Sequence, residues 1–298
     1  MMSLFKNRNP CYTIYKFIEN MRWLGMAYKI TYSNFKGGTG KTTNSTMMGY
    51  HLAAKGLKTL LIDLDPQANA TALYSLTRQS QTGDVMTFNK TLMSAIAEDD
   101  VESIITPIKE NLFLLPSFAD LTSYPLFLEK KFPKKKKKRS TYFSEIVKKF
   151  EDEFDYILFD VPPTLSTFTD SAVLASDYIV IVLQTQERSF VGAEAFIKYL
   201  QELMETYDTD FDILGILPVL QKNNAIVDQS VLKNATESFG KENMFKTVIK
   251  NMERLKRYDM TGIVDPKISE RFDVHDKNVH ALYSDVTDEL IERIEGND

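Results

Sequence analysis

Cysteine is almost missing from this chain: its 298 residues contain one, Cys11. A single thiol excludes a disulfide framework, a cysteine-built zinc site and a cysteine-ligated iron–sulfur cluster within one chain, and it points to a reducing cytoplasm. Long apolar runs are missing too. The longest, such as Tyr178-Ile-Val-Ile-Val-Leu183, are strand-length, against the roughly 20 residues needed to span a bilayer. Positive charge is in short supply overall, with 36 Lys+Arg against 41 Asp+Glu and a formal net charge of −5. As a sum, that argues against nucleic acid, because a domain that grips phosphates tends to be basic. What is present, 43% hydrophobic and 26% charged residues, suits a soluble protein with a sizeable core, in one large α/β domain.

Residues 1–26 read as an N-terminal extension. Ile14, Phe17, Ile18 and Met21 fall at helical spacing and predict a short amphipathic helix for packing or dimer contact. Lys16, Glu19, Asn20 and Arg22 interrupt any apolar stretch of the secretory-signal kind. From Tyr28 onward, strand and helix patterns alternate. Residues 28–34 predict a strand, Lys41–Ala54 a helix ending near Gly56, and Thr59–Asp63 a strand with acids at its end. Further short apolar runs lie at 112–116, 156–160, 178–183 and 213–217, with helical patterns such as 193–204 between them. Such alternation predicts a single domain over 27–298, a mostly parallel twisted sheet with helices on both faces. Ligands of such sheets sit at the carboxyl ends of the strands. The lysine-dense stretch 130–139 is predicted to be a loop, since Pro133 and repelling charges oppose regular structure.

The sharpest signal is Asn34-Phe-Lys-Gly-Gly-Thr-Gly-Lys-Thr-Thr43, set between a strand and a helix. The usual phosphate-loop pattern G-x-x-x-x-G-K-[ST] wants glycine at position 35, where this chain has Phe35. The remaining residues still suit the task. Gly37, Gly38 and Gly40 allow a tight turn around Thr39 that aims backbone N–H groups inward. Lys41 reaches the β- and γ-phosphates, the Thr42 hydroxyl is placed for Mg²⁺, and Thr43 continues into the helix, whose positive end faces the phosphates. Downstream, Leu60-Leu-Ile-Asp-Leu-Asp-Pro-Gln67 puts Asp63 and Asp65 at a strand's end. Tyr156-Ile-Leu-Phe-Asp-Val-Pro-Pro163 ends another strand in Asp160. An apolar strand closed by aspartate is the Walker B pattern, and Mg²⁺ takes such carboxylates directly or through water.

The second lysine, Lys36, is the informative departure. The form Lys-Gly-Gly-x-Gly-Lys-Thr-Thr resembles the deviant Walker A loop of the ParA/MinD superfamily of P-loop ATPases. The resemblance runs over roughly residues 27–285, most strongly before residue 163, and the lysine-rich insertion brings it nearest to small partition ATPases of Gram-positive plasmids. It implies ATP and Mg²⁺ as cofactors and a homodimer that sandwiches ATP, with Lys36 crossing to the partner's nucleotide. The Asp-x-Asp-Pro-Gln stretch is similar to the family's second motif, which implies that Asp65 positions the attacking water and Asp63 makes an outer-sphere Mg²⁺ contact. Asp160 would hold Mg²⁺ through water. Pro218 falls where family members line the adenine.

Three outputs of such an ATPase compete. A membrane-targeted member should end in a basic amphipathic helix, whereas this chain ends Thr287-Asp-Glu-Leu-Ile-Glu-Arg-Ile-Glu-Gly-Asn-Asp298; no membrane partner is expected. A metal-cluster carrier needs bridging cysteines. A partition ATPase needs DNA binding without sequence preference, and the local charges favour that. Residues 127–139 sum to +7, and residues 243–258 to +4, leaving −16 on the rest. A basic stripe on an acidic body binds phosphates at one face. The candidate contacts are Lys134, Lys135, Lys136, Lys137, Lys138 and Arg139 in the first segment, with Lys250, Arg254, Lys256 and Arg257 in the second. Thr247-Val-Ile-Lys-Asn-Met-Glu-Arg-Leu255 resembles the family stretch that supplies a DNA-contacting arginine, matching best at Arg254. The resulting expectation is a cytoplasmic plasmid-partition ATPase, nucleoid-associated when ATP-bound and stimulated by a centromere-binding, ParB-type protein. The alternative is an ATP-switched positioning protein that recruits a protein cargo.

Overall fold

The computed structural model describes residues 26–221, 226–270 and 272–296. The amphipathic helix expected within residues 1–26 lies, except for Met26, outside the described residues. Eight strands form one sheet: β1 (Tyr28–Ser33), β2 (Thr59–Asp63), β3 (Thr106–Lys109), β4 (Leu112–Leu115), β5 (Tyr156–Asp160), β6 (Tyr178–Gln184), β7 (Asp212–Gln221) and β8 (Ile249–Lys250). Their spatial order is β3-β4-β2-β5-β1-β6-β7-β8, parallel throughout except for the β3–β4 pair. β1, β2 and β5 are buried almost end to end, as strands covered on both faces must be.

Ten α-helices are described: α1 (Lys41–Ala54), α2 (Asn69–Thr82), α3 (Leu92–Glu98), α4 (Tyr124–Lys131), α5 (Lys136–Val147), α6 (Thr167–Val173), α7 (Glu187–Tyr207), α8 (Ile226–Phe239), α9 (Glu253–Thr261) and α10 (Val274–Gly296). Strand alternation divides their packing. Ile30, Tyr32, Leu61, Leu158 and Val180 share a core with α1, α2, α9 and α10. On the opposite face, Leu60, Ile62, Ile157 and Phe159 pack with α3, α4 and α5, while Ile179, Ile181 and Ile213 pack with α7 and α8. Gly49 permits close packing of α1 on α2, because a Cβ there would lie 2.7 Å from the Tyr74 hydroxyl of α2.

One expectation is corrected here. Residues 130–139 are not one loop. Lys130 and Lys131 close α4, Lys136 to Arg139 form the first turn of α5, and only 132–135 connect them, with Pro133 inside. Tertiary packing overrides the charge repulsion: Tyr142, Phe143, Ile146 and Val147 anchor α5 in the core, and the helix propagates back into the lysines on its solvent side. β7 also runs beyond the expected 213–217, so Pro218 lies inside the strand. It falls between the Ile216–Met244 bridge and the Val219–Ile249 pair, where β7 has no partner on its outer side among the described residues.

Candidate nucleotide site

The site forms where β1 delivers the chain to α1, with β5 and β6 as the neighbours of β1. Asn34 anchors the loop: its Nδ2 donates to Val182 O at 2.8 Å and its Oδ1 accepts from Lys36 N at 3.1 Å. Phe35 turns away to pack edge-on against Phe196 and Tyr199, with ring centroids 4.9 and 5.5 Å away. The position that usually holds glycine therefore fastens the loop to α7. Gly37 and Gly38 are exposed, Thr39 is buried, and Gly38 and Gly40 take φ of 70° and 80°, a left-handed conformation that glycine adopts without strain. Thr43 is half-buried at the loop's exit.

Lys41 is buried, its Nζ 3.3 Å from both Asn34 O and Lys36 O. Burial holds its pKa below the ordinary lysine range, and Asp160 and Asp65 oppose that shift. Lys36 points along its own chain, donating from Nζ to Gln184 Oε1 at the end of β6, at 3.1 Å, and to Gln186 just before α7. Burial and the neighbouring Arg188 both lower its pKa.

Asp63 and Asp160 are register partners on β2 and β5, so two fully buried carboxylates stand side by side on adjacent strands. Burial raises the pKa of each, and their mutual repulsion adds to the rise at Asp160, which the Thr42 hydroxyl and Lys41 partly offset. Their surroundings separate them. Asp63 Oδ2 accepts from the backbone N and the hydroxyl of Thr71 at 2.9 and 2.8 Å, and its Oδ1 accepts from Asp65 N at 3.1 Å. In this structure Asp63 braces the turn between β2 and α2, the surroundings in which its expected outer-sphere Mg²⁺ contact would have to form. Asp160 Oδ1 accepts from Ser45 Oγ at 3.2 Å, while its Oδ2 is buried with no hydrogen-bond partner among the described residues. Asp65 lies beyond the end of β2, so strand alternation does not place it; the Asp63 bond and its own acceptance from Gln67 N at 2.9 Å do.

Pro218 is buried within β7. A cavity of about 60 Å³ beside Gly40 and Thr43 is lined by the next two residues, Val219 and Leu220, and by Asn251 and Tyr283. Sequence reasoning missed Ser45, although it lies one helical turn after Lys41, the i+4 spacing that puts both on one face. Asn44, Thr71 and Tyr283 were missed as well, and Tyr283 meets Asn44 across 239 residues of sequence with no local signal.

The candidate DNA contacts do not form one stripe. α5, which carries Lys136, Lys137, Lys138 and Arg139, covers one face of the sheet, and α9, with Arg254, Lys256 and Arg257, covers the other. Lys134 through Lys138 are exposed and none pairs with a described acid within 4 Å, while Arg139 is half-buried. Arg254 is already engaged by Asp273 and, from Nε at 3.5 Å, by Asp276, so the best-matching arginine is not free. Lys256 pairs with Glu253 at 2.7 Å, whereas Lys250 and Arg257 are exposed.

With this geometry in hand, comparison with known proteins is decisive. A family described as an AAA domain, AAA_31, matches residues 27–213. The chromosome-partitioning ATPase Soj of Treponema pallidum is 28% identical over 238 residues, 80% of this chain and 88% of that protein. The sporulation initiation inhibitor protein Soj of Bacillus subtilis is 29% identical over 244 residues, 80% of this chain and 91% of that protein. The chain belongs to the ParA-type ATPases. Solved structures repeat the ParA-like fold: an ATP complex of Cyanothece McdA superposes with a TM-score of 0.73 at 19% identity, covering 89% of this chain and 96% of that one. A plasmid partition protein from Borrelia burgdorferi bound to AMPPNP gives 0.66 at 22% identity, over 90% and 98%. A cobyrinic acid a,c-diamide synthase from Mycobacterium smegmatis gives 0.70 at 20%, over 91% and 96%. Proteins with such different titles share the architecture, so the fold does not choose the output.

Proposed function

We propose that this ParA-type ATPase hydrolyses ATP with Mg²⁺ as the switch of a DNA partition system, plasmid partition in particular. The observation that carries the chemistry is the pairing of an open glycine loop with Lys41 and an unpartnered, buried Asp160 Oδ2. That oxygen and the adjacent Thr42 hydroxyl are hard donors of the kind Mg²⁺ takes directly or through water. When bound, Mg²⁺ neutralises charge on the β- and γ-phosphate oxygens. The exposed Gly37 and Gly38 give the phosphates close access to backbone N–H groups. Lys41, now held by loop carbonyls, turns onto the β- and γ-phosphates, and Asp65 orients the attacking water.

A homodimer closed over two nucleotides suits the surface around the loop. Leu165, Val191 and Val227 are exposed and follow the carboxyl ends of β5, β6 and β7, the end that carries the nucleotide site. In that dimer Lys36 leaves Gln184 for the partner's nucleotide. DNA binds without sequence preference, and the unpaired lysines 134–138 are its first contact. A ParB-type protein on the centromere stimulates hydrolysis and releases the DNA. The protein is then cytoplasmic and gathers on the nucleoid with ATP; no described helix is long and apolar enough to cross a membrane.

Lys41→Ala should abolish ATP turnover, and normal turnover in an ATPase assay would overturn the site. Asp65→Ala should hydrolyse poorly yet dimerise with ATP; a monomer in size-exclusion chromatography would count against its role. A gel shift on unrelated duplex DNA with ATP, ADP and no nucleotide tests the output. No shift under any of the three conditions would leave the protein-cargo reading in its place.

A further inference from the structure

Tyr283 is fully buried on α10, and its hydroxyl donates to Asn44 Oδ1 at 3.0 Å. Asn44 passes the contact on to the phosphate loop. Its Nδ2 donates to Gly40 O at 2.7 Å, and its backbone N–H donates to the same carbonyl at 2.9 Å. Gly40 is the N-cap of α1, left-handed and with no side-chain cap of its own. A glycine in that position is conformationally permissive, so its carbonyl direction is fixed only by what grips it.

The grip has a consequence one bond away. The Gly40 carbonyl and the Lys41 N–H belong to the same rigid, trans peptide plane and point in opposite directions from it. Holding the carbonyl down along α1 aims the Lys41 N–H up into the mouth of the loop, where oriented backbone donors meet an anion. Tyr283 sets the Asn44 amide for this, because an acceptor bond to Oδ1 leaves Nδ2 facing Gly40. All three residues line the small cavity beside the loop.

α10 is held in place independently of this contact. Its Asp276 accepts from the Tyr258 hydroxyl at 2.8 Å, and its His280 lies 3.2 Å from His51 Nε2 and 2.9 Å from Val264 O. The hydroxyl of Tyr283 therefore arrives at Asn44 as part of a docked helix. We infer that Tyr283 and Asn44 are positioning residues for the phosphate loop, through which the docking of α10 sets the affinity for the nucleoside triphosphate. The inference rests on the reading that residues 34–43 hold the phosphates. A hydroxyl that only satisfied the core would affect stability and leave nucleotide affinity unchanged.

The test is the dissociation constant of a fluorescent ATP analogue with Mg²⁺, measured on the full chain beside its thermal midpoint. Tyr283→Phe keeps the ring and removes only the donor, and it should weaken binding about three- to tenfold, the worth of one neutral hydrogen bond. Asn44→Ala should weaken it at least as much. The double variant should be no worse than Asn44→Ala alone, because Tyr283 acts through Asn44. An unchanged constant for Tyr283→Phe would overturn the inference whether or not its midpoint falls, and additive losses would overturn the shared route. Lys41→Ala serves as the control. If it binds the analogue normally, the loop assignment fails instead, and the two failures stay distinguishable.

Discussion

Asp160 concentrates the electrostatic strain of the site. It is fully buried, it faces Asp63 across one strand spacing, and one of its oxygens has no hydrogen-bond partner among the described residues. Burial and that neighbour both favour its neutral form, against the opposite pull of Thr42 and Lys41. An amide removes the charge while keeping the shape. Asp160→Asn should therefore stabilise the nucleotide-free protein by about 1–2 kcal/mol while abolishing Mg²⁺-dependent turnover. Thermal unfolding without nucleotide and an ATPase assay measure both halves, and a lower midpoint would show that the carboxylate is a structural asset. Ser45, Thr42 and Lys41 surround this group from the first turns of α1, which is why one substitution should separate stability from activity so cleanly.

At the scale of elements, α5 begins against electrostatic preference. Its first turn is Lys136, Lys137 and Lys138, and its N-cap, Lys135, makes no capping bond. Cations at a helix N-terminus oppose the macrodipole, at about 0.3–1 kcal/mol each. Lys136→Glu should consequently raise the thermal midpoint slightly while weakening DNA binding and flattening its salt dependence. A fall in both would mean that the lysine supports the helix and has no separate task. Phe35 illustrates the reverse case, where a residue foreign to the usual loop pattern gains a reason from a neighbouring helix. Its ring meets Phe196 and Tyr199 on α7, so the loop is tied to the element that begins just after Gln184 and Gln186, the residues that hold Lys36.

Across the whole molecule, α1 and α10 are joined by two histidines that burial keeps neutral. Burial pushes the His51 pKa down to about 3, with His280 adding to the shift, and burial lowers His280 as well. Lys109, paired with Asp265 at 2.7 Å, stands near both rings, and Asp276 faces His280 from its own helix. The unfolded chain takes up protons near pH 6.5, whereas folded His51 does so only near pH 3. Between those values the unfolded state binds more protons. Stability is complete above about pH 6.5 and falls as the pH drops, by up to about 1.4 kcal/mol per pH unit for each histidine. Denaturant midpoints from pH 7.5 to 5 should show this decline, and His51→Gln should flatten it. An equally steep decline in the variant would assign the acid sensitivity to other groups.

By itself the sequence determined the strand and helix alternation and the phosphate loop. Both signals are local: apolar spacing, three glycines and a lysine act within a dozen residues, although Val182, Phe196 and Tyr283 reach the loop from far along the chain. It also carried Asp63, Asp65 and Asp160 to strand ends, and the resemblance gave each an expected role. Only the tertiary structure separated their surroundings, because β2 and β5 become neighbours through backbone pairing, Thr71 binds the Asp63 carboxylate, and one Asp160 oxygen has no hydrogen-bond partner among the described residues. The same holds for the basic residues. Net charge along the chain joined the two segments into one stripe, whereas packing put α5 and α9 on opposite faces of the sheet and tied Arg254 to Asp273 and Asp276. Spacing fixes what a residue can do locally. Which partner reaches it is decided by contacts across a hundred residues or more, such as Tyr283 with Asn44, because those depend on how whole elements bury their apolar faces.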